Sequence, residues 1–352
     1  MGAARDVYKK VDSTLRGNVA AEVDAALRAT DAAFALVAPA FPSAGRTTED
    51  GVHYVEGEPV AGTEYGRDEK GPSTSTIADL FDGVERPVAS VTLDSVEGGG
   101  EAVAAVIGDA VADAERAPIV VCDATADRHL QTLAAAVADR DALYVGSGGL
   151  AERLTLDGVE TSAPDALDVD AGAALGVVGS VSETTLGQLE RVPEDAVVAL
   201  DAAALVAGDV PAEPIERAAA RLRDGEPTVV ASATDRNAVD RALAAGRERG
   251  LSDAAVRERV SAELARSAGR VIERAPPSGL FVTGGDVAVA VVEALDGTAI
   301  ALTGEAVEAG IPVGRVVDGD VAGTPVVTKA GGFGSQMAVV TCLKALSSTY
   351  DH

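Results

Sequence analysis

Lysine is scarce in this sequence, with five in 352 residues, at positions 9, 10, 70, 329 and 344. Tryptophan is absent, and aromatic residues make up 3% of the chain. Against 29 Lys+Arg stand 56 Asp+Glu, a formal net charge of −27. A polyanion of this kind is repelled by nucleic acid and by anionic membrane surfaces, so both are excluded as partners. The two cysteines, Cys122 and Cys342, supply neither a disulfide framework nor a metal-ligand cluster. No apolar run approaches the ~18 residues of a membrane span, and Met1–Lys10 has no signal-type apolar stretch. The expected location is the cytoplasm.

What is present is small, apolar and periodic. Hydrophobic residues make up 47% of the chain, with acids spread between them rather than gathered in a tail. This patterning argues against disorder. The combination of dispersed acid, Arg over Lys and few aromatics fits a hydrated surface suited to high salt, where screening removes self-repulsion.

Short apolar runs alternate with Ala-rich helical patterns, the rhythm of parallel βα units. In the first half, strands are predicted at Ala33–Ala38, Pro87–Thr92, Pro118–Cys122 and Ala142–Val145. Helices are predicted at Val19–Arg28, Glu101–Glu115 and Asp127–Asp139. The segment from Pro39 to Ser75 reads as long and irregular. A second series places strands at Ala174–Val178, Ala196–Leu200, Pro227–Ala231, Gly279–Val282, Thr298–Leu302 and Thr324–Lys329. It also places a helix over Asp253–Arg274, capped by Ser252 and stopped by Pro276-Pro277. The expected architecture is α/β, with two α/β domains, largely parallel sheets and a cleft between them. The domains are read as 1–156 and 173–352, joined by a linker over 157–172.

Two polar clusters stand in the first domain. Lys9-Lys10-Val11-Asp12-Ser13-Thr14-Leu15-Arg16-Gly17-Asn18 packs cations, an acid, hydroxyls and an amide in front of a helix. Arg16 offers a fork for a carboxylate, and the hydroxyls and amide match a polyol. The segment reads equally as a helix cap, with Ser13 or Asn18 capping and Arg16 solvated. The second cluster, Ala38 to Tyr54, follows a strand, where open α/β sheets bind ligands. In it Arg46, Thr47 and Thr48 form a candidate anion clamp. Asp50-Gly51 alone is a turn signal, and His53 reads as a hairpin residue rather than a catalyst.

Glycine-rich turns follow other strands: Gly146-Ser147-Gly148-Gly149, Gly179-Ser180-Val181-Ser182, Thr283-Gly284-Gly285-Asp286, and Lys329-Ala330-Gly331-Gly332-Phe333-Gly334. Such turns present backbone N–H groups to phosphate, although each alone is more often structural. No Walker loop occurs. The last three belong to the second domain and, at the ends of parallel strands, would converge on one rim. A nicotinamide dehydrogenase shares the βα rhythm, but no Gly-x-Gly-x-x-Gly with an acid about 20 residues on follows the first strand.

The run Tyr8–Asn18, then Pro39-Ala40-Phe41-Pro42, Gly45-Arg46-Thr47-Thr48 and Asp50–Tyr54, closely resembles the four-carbon acid sugar kinase family. Gly146–Ala151, Gly179–Ser182, Thr283–Asp286, Gly304-Glu305 and Lys329–Gly334 follow in that family's order, so the resemblance spans almost the whole chain. It implies ATP-dependent phosphorylation of a hydroxyl on threonate, erythronate or an oxo-tetronate. Ser180, Ser182, Gly284, Gly285, Asp286, Val287, Lys329, Gly331 and Gly332 would face ATP, with Mg²⁺ bridging its phosphates. Lys10, Ser13, Asn18, Arg46 and Thr47 would face the sugar acid. Asp12 is the candidate base and Arg16 its catalytic partner. No metal ligand is identified, and a homodimer is left open.

Two departures from the family's pattern stand out. Its opening strand and Asp-Asp-x-Thr-Gly-Ala loop have no counterpart, so the start reads as clipped. Its Gly-Gly-Glu-Thr appears as Gly284-Gly285-Asp286-Val287. The alternative expectation is therefore a catalytically impaired remnant that only binds nucleotide.

Overall fold

A computed structural model of the chain describes residues 7–68, 70–155 and 168–348. The chain divides into two compact units, residues 1–160 and 161–352. Both are α/β, as the alternation of apolar runs and helical patterns predicts.

In the N-terminal unit the elements run β1 (Val7–Lys10), α1 (Val19–Thr30), β2 (Phe34–Ala38), β3 (Arg46–Glu49), β4 (Val52–Val55), β5 (Glu58–Pro59) and β6 (Val88–Val91). They continue with α2 (Leu93–Glu97), α3 (Gly100–Ala112), β7 (Ile119–Cys122), α4 (Asp127–Ala136), β8 (Ala142–Gly146) and α5 (Gly148–Ala151). The main sheet has the order β1-β8-β2-β7-β6, with every pair parallel. Its three central strands are buried along their whole length, which is why they read as unbroken apolar runs. The edge strand β6, Val-Ala-Ser-Val, alternates instead.

The segment expected to be irregular is a correction. Residues Arg46 to Pro59 form a small antiparallel sheet of order β3-β4-β5. Two tight turns close it, Asp50-Gly51 with φ of 51° and 73°, and Glu56-Gly57 with φ of 50° and 81°. Two consecutive positive φ values give the turn whose twist suits a two-residue hairpin. The strands escaped sequence reading because they are four residues or fewer and mostly polar. His53 does take the hairpin role expected of it, and it is fully buried. Its Nε2 donates to the carbonyl of Ser13 at 2.8 Å, and its Nδ1 lies 3.0 Å from Thr48 Oγ1, tying the hairpin to the loop after β1.

Burial holds the His53 imidazole neutral, with its pKa pushed down to about 4. The unfolded chain therefore binds this proton first as pH falls from about 6.5. Stability should fall through that window by up to about 3 kcal/mol, because the unfolded state carries more protons. Thermal unfolding of wild type and His53→Gln between pH 7 and 4.5 checks this. Equal slopes in the two proteins would rule out the histidine as the cause.

In the C-terminal unit the elements run β9 (Leu175–Val178), α6 (Glu183–Leu189), β10 (Val197–Ala199), α7 (Ala202–Ala207), α8 (Ala212–Arg223), β11 (Thr228–Ala231), α9 (Arg236–Glu248) and α10 (Asp253–Ile272). They end with β12 (Leu280–Thr283), α11 (Gly285–Ala294), β13 (Ile300–Glu308), β14 (Ile311–Val316), β15 (Pro325–Lys329) and α12 (Ala338–Ala345). The sheet order is β10-β11-β9-β12-β15-β14-β13, parallel through β15 and antiparallel at the last two strands. The long helix begins as predicted, with Ser252 Oγ accepting from Ala255 N–H at 3.3 Å. The strand expected over Thr298–Leu302 is instead nine residues, Ile300–Glu308, and pairs with an unforeseen β14. Register shifts after Leu302 and Ala306 break the alternation that would have revealed it.

Of the expected linker, residues 157–167 lie outside the described residues. At its end the chain is tied to the C-terminal unit: Arg315 donates to Asp168 O at 3.0 Å and Gly172 N–H to Ser348 Oγ at 2.9 Å. Both cysteines are buried and unpaired. No helix among the described residues is long and apolar enough to cross a membrane.

Candidate functional sites in the two units

In the N-terminal unit the loop after β1 folds back on itself. Asp12 O accepts from Leu15 N–H at 3.0 Å, and Leu15 takes a positive φ of 60° while its side chain is buried. A bulky residue in the left-handed region costs on the order of 1 kcal/mol or more, so the surrounding packing must impose it. This turn brings two polar groups onto one oxygen. Asp12 Oδ2 accepts from Thr14 Oγ1 and from Arg16 Nε, each at 2.6 Å. Arg16 also reaches Asp68 at 3.3 Å and lies over the Tyr65 ring, 5.5 Å from its centroid. Burial opposes the charge on Asp12. The bonds and charge of Arg16, with Thr14 and Lys10, outweigh it and hold the carboxyl below its ordinary range.

Other candidates in this unit fare differently. Ser13 is buried, with no hydrogen-bond partner for its Oγ among the described residues, while Lys10 and Asn18 are exposed. Asn18 sits at the cap position of α1 but its side chain makes no capping bond, a correction to that reading. Arg46 and Thr48 are buried, whereas Thr47 between them is not, because successive side chains of a strand face opposite ways. Thr48 Oγ1 is engaged by His53, so the Arg46-Thr47-Thr48 clamp does not assemble. Arg46 instead lies by Tyr65 and 3.6 Å from Glu56, its pKa lowered chiefly by burial.

One anchoring residue was missed. Asp123, buried at the end of β7, accepts from the N–H groups of Asp50 (3.0 Å), Gly51 (2.9 Å) and Leu93 (3.1 Å). An acid closing the apolar run Ile119–Cys122 was the available signal. The Gly146–Gly149 turn is a packing device, since a side chain on Gly148 would meet the Phe41 ring at 2.9 Å and one on Gly149 the Ala40 carbonyl at 2.6 Å.

The C-terminal unit brings three of the glycine-rich turns together. Strands β9, β12 and β15 are neighbours and parallel, so Gly179–Ser182, Gly284-Gly285 and Lys329–Gly334 leave the same rim. Gly179 N–H donates to Thr283 O and Gly284 N–H to Lys329 O, both at 3.1 Å. Gly284 adopts φ +102°, and a built Cβ there would lie 3.3 Å from Ser180 N. Ser182 Oγ caps α6 by accepting from Thr185 N–H at 3.1 Å and lies 2.9 Å from Gly331 O. Ser180 Oγ is 3.3 Å from Ser182 Oγ and 3.2 Å from Thr185 Oγ1. Asp286 and Gly285 are exposed in the first turn of α11, whereas Val287 is buried in the core against Gly179. Val287 can therefore meet a ligand only through its backbone.

Lys329, expected from the resemblance to face ATP, is buried. Its Nζ lies 3.0 Å from Gly331 O, 3.2 Å from both Ala330 O and Phe333 O, and 3.1 Å from Thr185 Oγ1. Thr185 and Gln188 are both buried on α6; Thr185 ends the hydroxyl-rich run that follows β9 in the sequence, whereas Gln188 was not singled out, although the apolar periodicity of a helix facing a sheet marks its position.

Among the described residues no three His, Cys, Asp or Glu side chains converge to hold a metal ion. Mg²⁺ needs no such cage, since it is commonly held by one or two carboxylates together with substrate phosphates and water.

Comparison with known proteins agrees with this division. Residues 1–154 match the model of a sugar-binding N-terminal domain, and residues 175–339 that of a nucleotide-binding C-terminal domain. The chain is 37% identical over 356 residues to a D-threonate kinase of Salmonella typhimurium LT2, covering 98% of this chain and 81% of that protein. It is 31% identical over 356 residues to a D-erythronate kinase of Heliobacterium modesticaldum, covering 96% and 79%. A crystal structure from Salmonella typhimurium LT2 shares the fold, with a TM-score of 0.71 at 21% identity over 96% of this chain and 80% of that one. With both domain models matched in order and relatives above 30% identity along nearly its whole length, this chain belongs to the four-carbon acid sugar kinase family.

Proposed function

We propose that the chain is an ATP-dependent kinase that phosphorylates a hydroxyl of a four-carbon sugar acid such as threonate, erythronate or an oxo-tetronate. The N-terminal unit would hold the sugar acid and the C-terminal unit ATP. One observation carries the reading: three glycine-bearing turns leave neighbouring parallel strands and meet around Ser180, Gly284 and Gly331. Backbone amides gathered at strand ends favour a phosphate chain. Phosphoryl transfer asks the protein mainly for positioning and charge neutralisation.

In this reading Asp12 orients the attacking hydroxyl and Arg16 holds Asp12 ionised, with Lys10 nearby at the end of β1 and Ser13 on the same loop. Ser180, Ser182, Gly284 to Val287, Gly331 and Gly332 line the nucleotide side, and Mg²⁺ arrives with the phosphates. The observations do not favour a binding-only remnant, because the Asp12–Thr14–Arg16 arrangement is assembled.

The test is ADP formation from ATP and Mg²⁺ with a panel of D- and L-threonate, erythronate and 3-oxo-tetronate. Concentrated KCl belongs in the buffer, because a net charge of −27 makes screening favourable. At least one acid is expected to give ADP in step with a phosphorylated product. The absence of ADP with every acid, from protein that unfolds cooperatively, would sink the reading.

A further inference from the structure

The loop from Ala330 to Ser335 is held from behind. Gln188 Nε2 lies 3.1 Å from Phe333 O, 3.2 Å from Gly334 O and 2.8 Å from Ser335 O. The amide orientation follows from chemistry: turning it over would set its oxygen against three carbonyls. Lys329 Nζ collects the carbonyls of Ala330, Gly331 and Phe333. Together they draw in five carbonyls of this short loop.

In a trans peptide the C=O and the following N–H point opposite ways. Drawing in Ala330 O therefore turns Gly331 N–H outward, and drawing in Phe333 O turns Gly334 N–H outward. Those two amides find no protein acceptor among the described residues. The next outward amide, that of Ser335, is taken by Glu308 Oε2 at 2.6 Å, which closes the loop's far end.

We propose that Gln188, acting with Lys329, is a positioning residue that collects the carbonyls of the 330–335 loop on its inner side and so aims the Gly331 and Gly334 amides at the phosphates of a nucleoside di- or triphosphate. The inference rests on the nucleotide reading of this unit and names the residue that shapes its phosphate contact. Gln188 itself need not touch the ligand. Its side chain is buried and spent on carbonyls, and a purely apolar side chain of similar length would leave those carbonyls unpaired and free to rotate.

The experiment is calorimetric titration of wild type and Gln188→Met with ATP, ADP and adenosine, alongside thermal unfolding. Loss of the three contacts is expected to weaken ATP and ADP about tenfold or more, the effect of roughly 1.4 kcal/mol, while adenosine affinity stays within about twofold. Should Gln188→Met fail to fold, Gln188→Asn, which keeps the donor on a shorter arm, is expected to show the same selective loss in smaller measure. Unchanged ATP affinity in a folded variant would overturn the proposal. So would an equal loss for ATP and adenosine, which marks a general packing defect. A wild type that binds none of the three sinks the nucleotide reading, and the inference with it, a result distinct from the other two.

Discussion

Asp12→Asn is expected to lower the phosphorylation rate by about a hundredfold or more while leaving ATP binding to the C-terminal unit intact. Asparagine keeps the shape but removes the carboxylate on which Thr14 and Arg16 converge. A positioned acid–base group contributes roughly 10²–10⁴ in rate. Because Asp12 is held ionised below the ordinary carboxylate range, it is a weak base. It would orient the hydroxyl by accepting its hydrogen bond, with the proton leaving late, as suits a loose phosphoryl-transfer transition state.

The sign of the pH effect follows from the same depression. Stability from this pair is fully present above the unfolded Asp pKa of about 3.9 and is lost as pH falls through the lower folded value. Activity therefore should not decline through Asp12 anywhere near neutrality. The stability at stake is small, about 1 kcal/mol or less, since both side chains are partly exposed. Steady-state kinetics with the accepted sugar acid, and ATP titration of the same preparation, separate the two effects. Wild-type turnover in Asp12→Asn would remove Asp12 from the mechanism and pass the role to another group on the same loop.

Gly331→Ala is expected to raise the KM for ATP roughly ten- to a hundredfold. A Cβ built on Gly331 would stand 2.4 Å from Ser180 Oγ and 3.0 Å from Ser182 Oγ. Ser182 cannot swing away cheaply, because its hydroxyl caps α6. Losing such a cap costs about 1 kcal/mol. Either Ser180 Oγ leaves its bonds to Ser182 and Thr185, or the loop retreats, carrying with it the carbonyl that Lys329, Ser182 and Thr185 surround. Overpacking of this kind costs ~1–3 kcal/mol, so a lower unfolding temperature should accompany the kinetic effect. Gly187→Ala is the matched control, since nothing lies within 4 Å of its added Cβ and it sits inside α6. A helix-interior alanine there should leave KM unchanged and stabilise by up to about 1 kcal/mol. An unaltered KM for ATP in Gly331→Ala would contradict the close approach of nucleotide to this loop.

The two substitutions probe features of unequal legibility. Gly331 stood in a strand–glycine–helix pattern readable from sequence, because parallel strands buried on both faces give unbroken apolar runs and their turns are marked by glycine. Asp12 stood in a polar decapeptide whose composition suggested either a ligand site or a helix cap. The structure bears on the cap reading alone: Asn18 makes no capping bond, and the turn through Leu15 folds Thr14 and Arg16 onto Asp12. The hairpin over Arg46–Pro59 was readable only at its turns, since its strands are too short to carry a period.

Local sequence was sufficient for the α/β class, the positions of most strands along the chain, and the placing of glycine turns at strand ends, because these depend on short-range periodicity and backbone sterics. The roles of Lys329, Thr185 and Gln188 depended on tertiary structure. Lys329 is separated from Thr185 by 144 positions and Gln188 from the carbonyls it holds by 145 to 147. No local pattern encodes which way a buried donor faces across such distances. Sheet order decides it, by setting β9, β12 and β15 side by side so that α6 lies under the last loop. Lys329, which the family resemblance set facing ATP, is in the folded chain buried with its Nζ on the carbonyls of Ala330, Gly331 and Phe333.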